Sequence, residues 1–138
     1  MLACPISLSA QTDPAAAAAA VFEQFLSSFT NADSAGVVAL FAEDAKFWGT
    51  SSKALVEQTS GIEQYFSNLA NTPPGQTIAR AVDYSVLVVA DNLAVVSGVW
   101  EVIPAGTTTP VPLRVSLAVA LRNGQWKIVQ FHNSRVPE

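Results

Sequence analysis

Apolar residues recur at spacings of three and four near the start of the chain, and they alternate with polar residues toward its end. In the first part, a run of six alanines leads into Val21 and Phe25, which lie four positions apart on one helical face. Asp13 and Pro14 mark the start, because Asp accepts hydrogen bonds from free amides and Pro fits the first helical position. The pattern predicts an amphipathic helix that ends at Asn31.

Two shorter helices and one strand are predicted between this helix and residue 75. Asp33 caps the second helix, which we expect to extend through Phe41, and Ser60 caps the third. The third helix must end before the double proline at 73–74, because proline cannot continue a helix. Between the two helices, the aromatic pair at 47–48 ahead of a glycine predicts a short strand that runs into a turn.

The second half of the chain is predicted to form four strands joined as an antiparallel meander. Its Val-rich runs are separated by Asp91-Asn92 and by Asn123-Gly124, and Asn-Gly is a strong hairpin signal. Helices that precede a meander must cover one face of its sheet, which predicts an α+β fold: three N-terminal helices packed on a strongly curved, mainly antiparallel sheet. We expect a cone-shaped cavity between these layers. The predicted strands are 80–89, 93–103, 113–122 and 125–134.

Composition excludes several functional classes. Of the 138 residues, only 13% are charged, and seven Lys and Arg against eleven Asp and Glu give a net charge of −4. This balance argues against a nucleic-acid partner, which would require a basic surface. One cysteine and one histidine exclude a disulfide framework, a zinc cluster and a multi-histidine metal site within one subunit. We expect neither a metal nor a cofactor.

Residues 1–12 are predicted to lie outside the folded domain, which spans residues 13–138. The first ten residues are uncharged and mostly apolar and end in a small residue, as does the tail of a secretory signal. They lack the positively charged start of a complete signal, so a plain N-terminal extension is the alternative. We expect a periplasmic or secreted protein if the segment is a signal remnant, and a cytoplasmic protein otherwise. No later stretch reaches the about 20 apolar residues of a membrane span.

Four local strings fit one known pattern when they are taken in this order of elements. They are LFAEDA at 40–45, FWGT at 47–50, GIEQYF at 61–66 and GQWKIVQFHNS at 124–134. With them the chain resembles the nuclear transport factor 2-like, or SnoaL-like, superfamily. Within it the ending is most similar to the SgcJ/EcaC group and to the association domain of calcium/calmodulin-dependent protein kinase II. The resemblance implies a cystatin-like cone with a pocket at its open end, and homodimers or larger rings formed through the sheet.

Strict alternation along the four long strands places a set of polar side chains on one face of the sheet. It also places Ile128 on the same side as His132, with Val129 and Phe131 on the other side. The polar face either lines the pocket or forms the contact between subunits, and alternation leaves both possibilities open. The polar set is Arg80, Tyr84, Ser97, Glu101, Arg114, Ser116, Gln130 and His132.

His132 is the candidate general acid or base, because only histidine titrates near neutral pH without perturbation. We pair it with Glu101 or Asp44, as dehydratases of the resembled superfamily pair His with Asp. The alternative is a structural hydrogen bond of His132 within the sheet or across a subunit contact. A lone aspartate base with Tyr65 or Tyr84 as hydrogen-bond donor would instead form an isomerase site of the ketosteroid type.

The remaining candidates would bind a ligand. Arg80 and Arg114 suit a carboxylate or a phosphate, with ordinary salt bridges as the alternative. Trp48 and Trp100 are expected to form an apolar wall for a flat molecule, and Trp48 is placed nearest the open end. Gln130 joins this set through its place on the polar face.

Three functions follow as expectations. The first is a homo-oligomeric protein that binds a small apolar or weakly anionic organic molecule. The second is a non-catalytic association module whose sheet face drives oligomerisation, which the low charge content favours because a wide apolar face left exposed would aggregate. The third is a cofactor-free isomerase or dehydratase. An enclosed pocket that contains the histidine and both arginines would favour the first or third.

Overall fold

The computed structural model describes residues 13–138 and contains two helices, one strand, a third helix and four more strands in chain order. The segment 1–12, with its predicted extension or signal remnant, lies outside the described residues. The helices are α1 (Pro14–Thr30), α2 (Ser34–Ala39) and α3 (Thr59–Phe66), and a 3₁₀ turn follows at Ser67–Asn71. The strands are β1 (Phe41–Trp48), β2 (Ile78–Ala90), β3 (Leu93–Ile103), β4 (Val111–Arg122) and β5 (Gln125–Arg135).

The first two helices begin at the predicted caps. The Asp13 carboxylate accepts a hydrogen bond from the Ala16 amide at 3.3 Å, and Asp33 accepts one from the Gly36 amide at 2.9 Å. The second helix is shorter than predicted, because Phe41 begins β1 instead of ending α2. This change gives β1 eight residues and brings it into the main sheet.

The sheet is mixed and open, with the strand order β1-β5-β4-β3-β2. The four long strands form the predicted antiparallel meander, and β1 joins its far edge in parallel with β5. The three helices cover one face, which we call the inner face, and the other is the outer face. The predicted α+β cone is confirmed.

Two of the register shifts in the sheet change which of the predicted side chains share a face. Val82 has no partner on β3, and Val129 has none on β4. Each extra residue shifts the alternation, so Tyr84 points to the inner face although Arg80 points outward. On β5 the shift turns Ile128 inward, where it is fully buried. Strict alternation is therefore wrong in placing Tyr84 with Arg80, and in placing Ile128 with the outward side chains.

The core lies between α1, α3 and the inner face, and it is unusually aromatic. Phe22, Phe25, Phe47 and Phe131 are all at most 1% exposed. The Phe47 and Phe131 rings stack with centroids 5.3 Å apart, which ties β1 to β5 by side chains as well as by backbone. Within residues 13–138, no helix is long and apolar enough to cross a membrane.

Candidate ligand-binding pocket

A cavity of about 370 Å³ lies between the helices and the inner face. It opens at the end of the sheet where β1, β3 and β5 finish and where β2 and β4 begin. The volume is within the roughly 300–1,000 Å³ of typical small-molecule sites. Its apolar wall is mostly aromatic: Phe25, Phe29, Phe47, Tyr65, Phe66, Trp100 and Phe131.

The aromatic wall is fixed by contacts between its own rings. The Phe25 ring meets Trp100 edge to face at a centroid distance of 5.6 Å, and the Phe47 ring meets Tyr65 in the same way at 4.8 Å. Such pairs hold their rings in defined orientations, since each edge carries partial positive charge and each face partial negative charge. The rings of the wall are therefore held in place by one another.

One buried amide interrupts this apolar surface. Asn133, which is 7% exposed, accepts a hydrogen bond at Oδ1 from the Trp100 indole Nε1 at 2.8 Å. Its Nδ2 donates to the Oγ1 of Thr50. A buried polar side chain is costly unless it is hydrogen-bonded, and these two bonds pair the amide oxygen once and one of the two amide protons. All three side chains line the cavity, and we call them the Trp100–Asn133–Thr50 network.

The fold brings Thr50 to Asn133 through the pairing of β1 with β5. Trp48 lies beside His132 in the parallel register, so the residues that follow each of them stay close. Thr50 then lies in a turn closed by the Gly49 amide, which donates to the Ser52 hydroxyl at 2.9 Å.

Gly49 also makes room for Tyr65. A Cβ atom at position 49 would lie 2.2 Å from the Tyr65 ring, so only glycine allows this ring its place in the wall. Close backbone approach is thus part of how the cavity is shaped.

The rim of the cavity is polar but uncharged. Thr50, Ser51, Asn68, Thr72 and Thr77 supply hydroxyl and amide groups. Among the residues in 13–138 that line the cavity there is no Asp, Glu, His, Lys or Arg. Such a lining suits an uncharged ligand, because a charged group would lose its hydration without gaining a partner.

Of the ten side chains selected from the sequence, Tyr65 and Trp100 line this cavity. Tyr84 is on the inner face farther along α1, where its ring meets Phe22 at 5.0 Å and its hydroxyl donates to Glu23. Partial burial and this hydrogen bond raise the pKa of the Tyr84 hydroxyl. Tyr84 therefore serves helix packing in this structure.

Five others lie on the outer face of β2 to β5, where cross-strand neighbours share a side. Glu101 receives a hydrogen bond of 2.6 Å from Arg80, and Arg114 donates to Ser134 at 3.3 Å. His132 is exposed and lies opposite Ser116. The whole predicted polar set therefore lies outside the cavity, with Tyr84 on the inner face and the others on the outer face. The five are Arg80, Glu101, Arg114, Gln130 and His132.

Trp48 also lies on the outer face. It neighbours His132 in the parallel register, and Phe47 supplies the β1 side chain that points into the cavity. Strand alternation explains the difference, since adjacent residues of a strand point to opposite faces.

The three proposed acid–base residues are dispersed. Asp44 forms an ion pair with Arg122 at 2.8 Å, in a groove near the turn between β4 and β5, and this hydrogen bond lowers the pKa of Asp44. Asp44 lies four positions before Trp48, the residue of β1 that is paired with His132, and a register irregularity of β1 falls between Phe41 and Lys46. Glu101 lies opposite Pro112, four positions along β4 from the partner of His132. No two of them form one site.

The sequence reasoning missed Asn133 and Thr50. A signal for Asn133 was present, since it follows Phe131 by two positions and is therefore a polar residue on the apolar side of β5. Thr50 carries no such signal, because it follows the end of its strand.

A family model described as the SnoaL-like domain matches residues 18–138. The chain belongs to this family, and the resemblance seen in its local strings is confirmed. Among curated proteins, none matches the chain significantly.

Solved structures share the fold at low sequence identity. A Xanthomonas campestris protein named after the calcium/calmodulin-dependent protein kinase II association domain superposes with a TM-score of 0.78 at 24% identity, covering 88% of this chain and 86% of that chain. A Nostoc punctiforme domain of unknown function with a cystatin-like fold gives 0.77 at 20% identity, covering 91% and 78%. A ketosteroid isomerase-like protein from Erwinia carotovora atroseptica gives 0.73 at 15%, covering 92% and 99%. At these identities the similarity establishes the fold alone.

Proposed function

We propose that this protein binds a small, uncharged, largely apolar organic molecule in the cavity between its helices and its sheet. The observation that carries the proposal is the lining itself. A preformed aromatic wall surrounds about 370 Å³ and contains one buried amide. Apolar walls with a few fixed polar groups are the usual construction of small-molecule sites, because burial supplies affinity and the polar groups supply orientation.

The lining supports binding more than acid–base catalysis. A cofactor-free isomerase or dehydratase needs a base within hydrogen-bond reach of its substrate. The described cavity residues provide no carboxylate and no imidazole, and His132 and Glu101 lie on the outer face. Arg80 and Arg114 are outside the cavity as well, so the lining favours a neutral ligand over an anionic one.

A larger side chain at Val102 should block the proposed site. Val102 is half-buried at the cavity, and Val102→Phe would fill part of its volume. We expect isothermal titration calorimetry with 2-acetylnaphthalene to give saturable one-to-one binding to the natural protein. Val102→Phe should weaken it by at least about tenfold, which corresponds to about 1.4 kcal/mol.

Val99→Phe is the matched control, because Val99 is half-buried on the outer face of the same strand. Its affinity should equal that of the natural protein. The proposal fails if the natural protein does not bind 2-acetylnaphthalene. It also fails if Val102→Phe binds the compound as tightly as Val99→Phe does.

Self-association is a second candidate, supported by an apolar row on the outer face. Leu87 lies opposite Val95, and Val95 lies opposite Ala118 on the next strand. Leu87 is 67% exposed, although leucine loses about 1.5–3 kcal/mol of favourable burial when it stays in water. If two copies of the chain packed their outer faces against each other, each copy would cover the apolar row of the other. The polar side chains of Arg80 and Glu101 would then lie at its edge.

Leu87→Glu should disrupt such a dimer. A carboxylate in the row would lose its hydration on association, so we expect the dissociation constant to rise at least about tenfold. Sedimentation equilibrium measures it. Leu55→Glu is the control, since Leu55 is an exposed apolar residue outside the sheet. A natural protein that remains monomeric at high concentration would refute self-association.

A further inference from the structure

The Trp100–Asn133–Thr50 network has a fixed polarity. The indole nitrogen of Trp100 can only donate, so the atom of Asn133 that faces it must be the oxygen. The amide nitrogen of Asn133 then faces Thr50, and it donates one of its two protons to the Thr50 oxygen. Trp100 therefore determines which end of the amide is turned toward each neighbour.

The groups that this network leaves available are donors. The amide nitrogen of Asn133 keeps a second proton, and the Thr50 hydroxyl, which serves as acceptor, keeps its own. No hydrogen bond among residues 13–138 uses either proton. Both groups belong to side chains that line the cavity. Asn133 is 7% exposed, so a ligand that displaces water from its free amide proton must supply an acceptor, because an unpaired buried donor is costly.

We infer that the cavity selects molecules in which an aromatic body carries a carbonyl or similar oxygen acceptor. The inference rests on the proposed binding function and names the class of ligand for that site. The carbonyl oxygen lies toward Asn133 and Thr50, and the rings lie against the aromatic wall. The two parts of the lining thus recognise two parts of one molecule. A hydrocarbon of the same shape meets the wall but leaves the donors unpaired.

Two compounds of similar shape test this selectivity. Binding of 2-acetylnaphthalene and 2-ethylnaphthalene to the full chain is measured by fluorescence competition and calorimetry. The ketone should bind about three- to tenfold more tightly than its hydrocarbon counterpart, relative to their partition between water and octanol. Correcting for partition removes the difference in hydrophobicity between the two compounds.

Two variants remove the donors of Asn133. Asn133→Leu keeps the approximate volume but has no polar group, and Asn133→Asp keeps an oxygen for the Trp100 indole but has no amide proton. In each, the preference for the ketone should fall toward onefold, while the hydrocarbon still binds. Retained hydrocarbon binding also shows that the variant is folded. If Asn133→Leu fails to fold with Trp100 left unpaired, Asn133→Asp still decides the question, because its carboxylate accepts from both Trp100 and Thr50 and has no proton to donate.

Ser51→Ala is the matched control, because Ser51 lines the cavity next to Thr50 but takes no part in the network. It should keep the full preference for the ketone. Equal binding of both compounds by the natural protein would overturn the inference and leave the binding function intact. A preference that survives both Asn133→Leu and Asn133→Asp would also overturn it. If neither compound binds, the proposed function fails and the inference fails with it.

Discussion

The free energy of unfolding should fall by about 3–5 kcal/mol when Phe25 is replaced by Ala. Phe25 is 1% exposed, and its ring centroid lies 5.1 to 6.1 Å from those of Phe29, Phe66, Trp100 and Phe131. The substitution removes the α1 ring that contacts β3, β5 and α3. Because the surrounding side chains are closely packed, they cannot move in to fill the cavity that is left. Urea denaturation followed by circular dichroism measures the change.

Phe25→Leu is the control for this prediction. It keeps most of the buried apolar volume, so we expect a loss of at most about 1.5 kcal/mol. If Phe25→Ala cost less than Phe25→Leu, or less than about 1 kcal/mol, the aromatic cluster would not be the main support of the helix layer.

Gly98→Val should destabilise the protein by about 3 kcal/mol, although valine is a good strand former. Gly98 lies opposite Tyr84, and a Cβ atom there would be 2.3 Å from the Asp83 carbonyl oxygen and 2.4 Å from the Tyr84 Cβ. The nearest atoms are backbone or the root of a side chain, so they cannot rotate away. The same urea titration measures the effect.

Ser97→Val separates this contact from strand propensity. Ser97 is the adjacent residue of β3, and it is exposed on the outer face. Valine there should change stability by less than about 1 kcal/mol. A similar loss at both positions would mean that the close approach of β2 to β3 at Gly98 is not the cause.

Much of the fold was predictable because its signals are local. Asp13 and Asp33 cap the first two helices as expected, and β3 begins and ends where its apolar run does, at Leu93 and Ile103. Caps and turns depend on a few neighbouring residues, so the sequence contains what determines them. The order of elements then led to the layer arrangement.

The bulges and the edge strand were not predictable in this way. Val82 and Val129 are bulged, and nothing in their residue type distinguishes them from paired valines such as Val86 and Val119. Phe41 was assigned to a helix because its partner Ile128 lies more than 80 positions later in the chain. Long-range pairing decided both cases, and it overrides local preference.

The location of the candidate site was not predictable for a different reason. Alternation groups Arg80, Glu101, Arg114 and His132 on one face, as in the structure, but it does not say which face the helices cover. Trp100 on β3 and Tyr65 on α3 do line the cavity, because large aromatic side chains between the helices and the inner face form its wall. Asn133 is not among the predicted site residues, because charged and titratable side chains are the usual candidates for chemistry. It is a neutral side chain, and only the structure shows that it is buried and hydrogen-bonded to Trp100.

The parallel pairing of β1 with β5 has a consequence for synthesis on the ribosome. At about 5–20 residues per second, β1 is synthesised roughly 4 to 16 seconds before its partner β5. Throughout that interval, the early part of the chain has an aromatic strand without its neighbour and a helix without its sheet. The wall of the cavity gains Phe131 and Asn133 only with β5. The lining of the cavity in a nascent chain is therefore complete only after β5 has been synthesised.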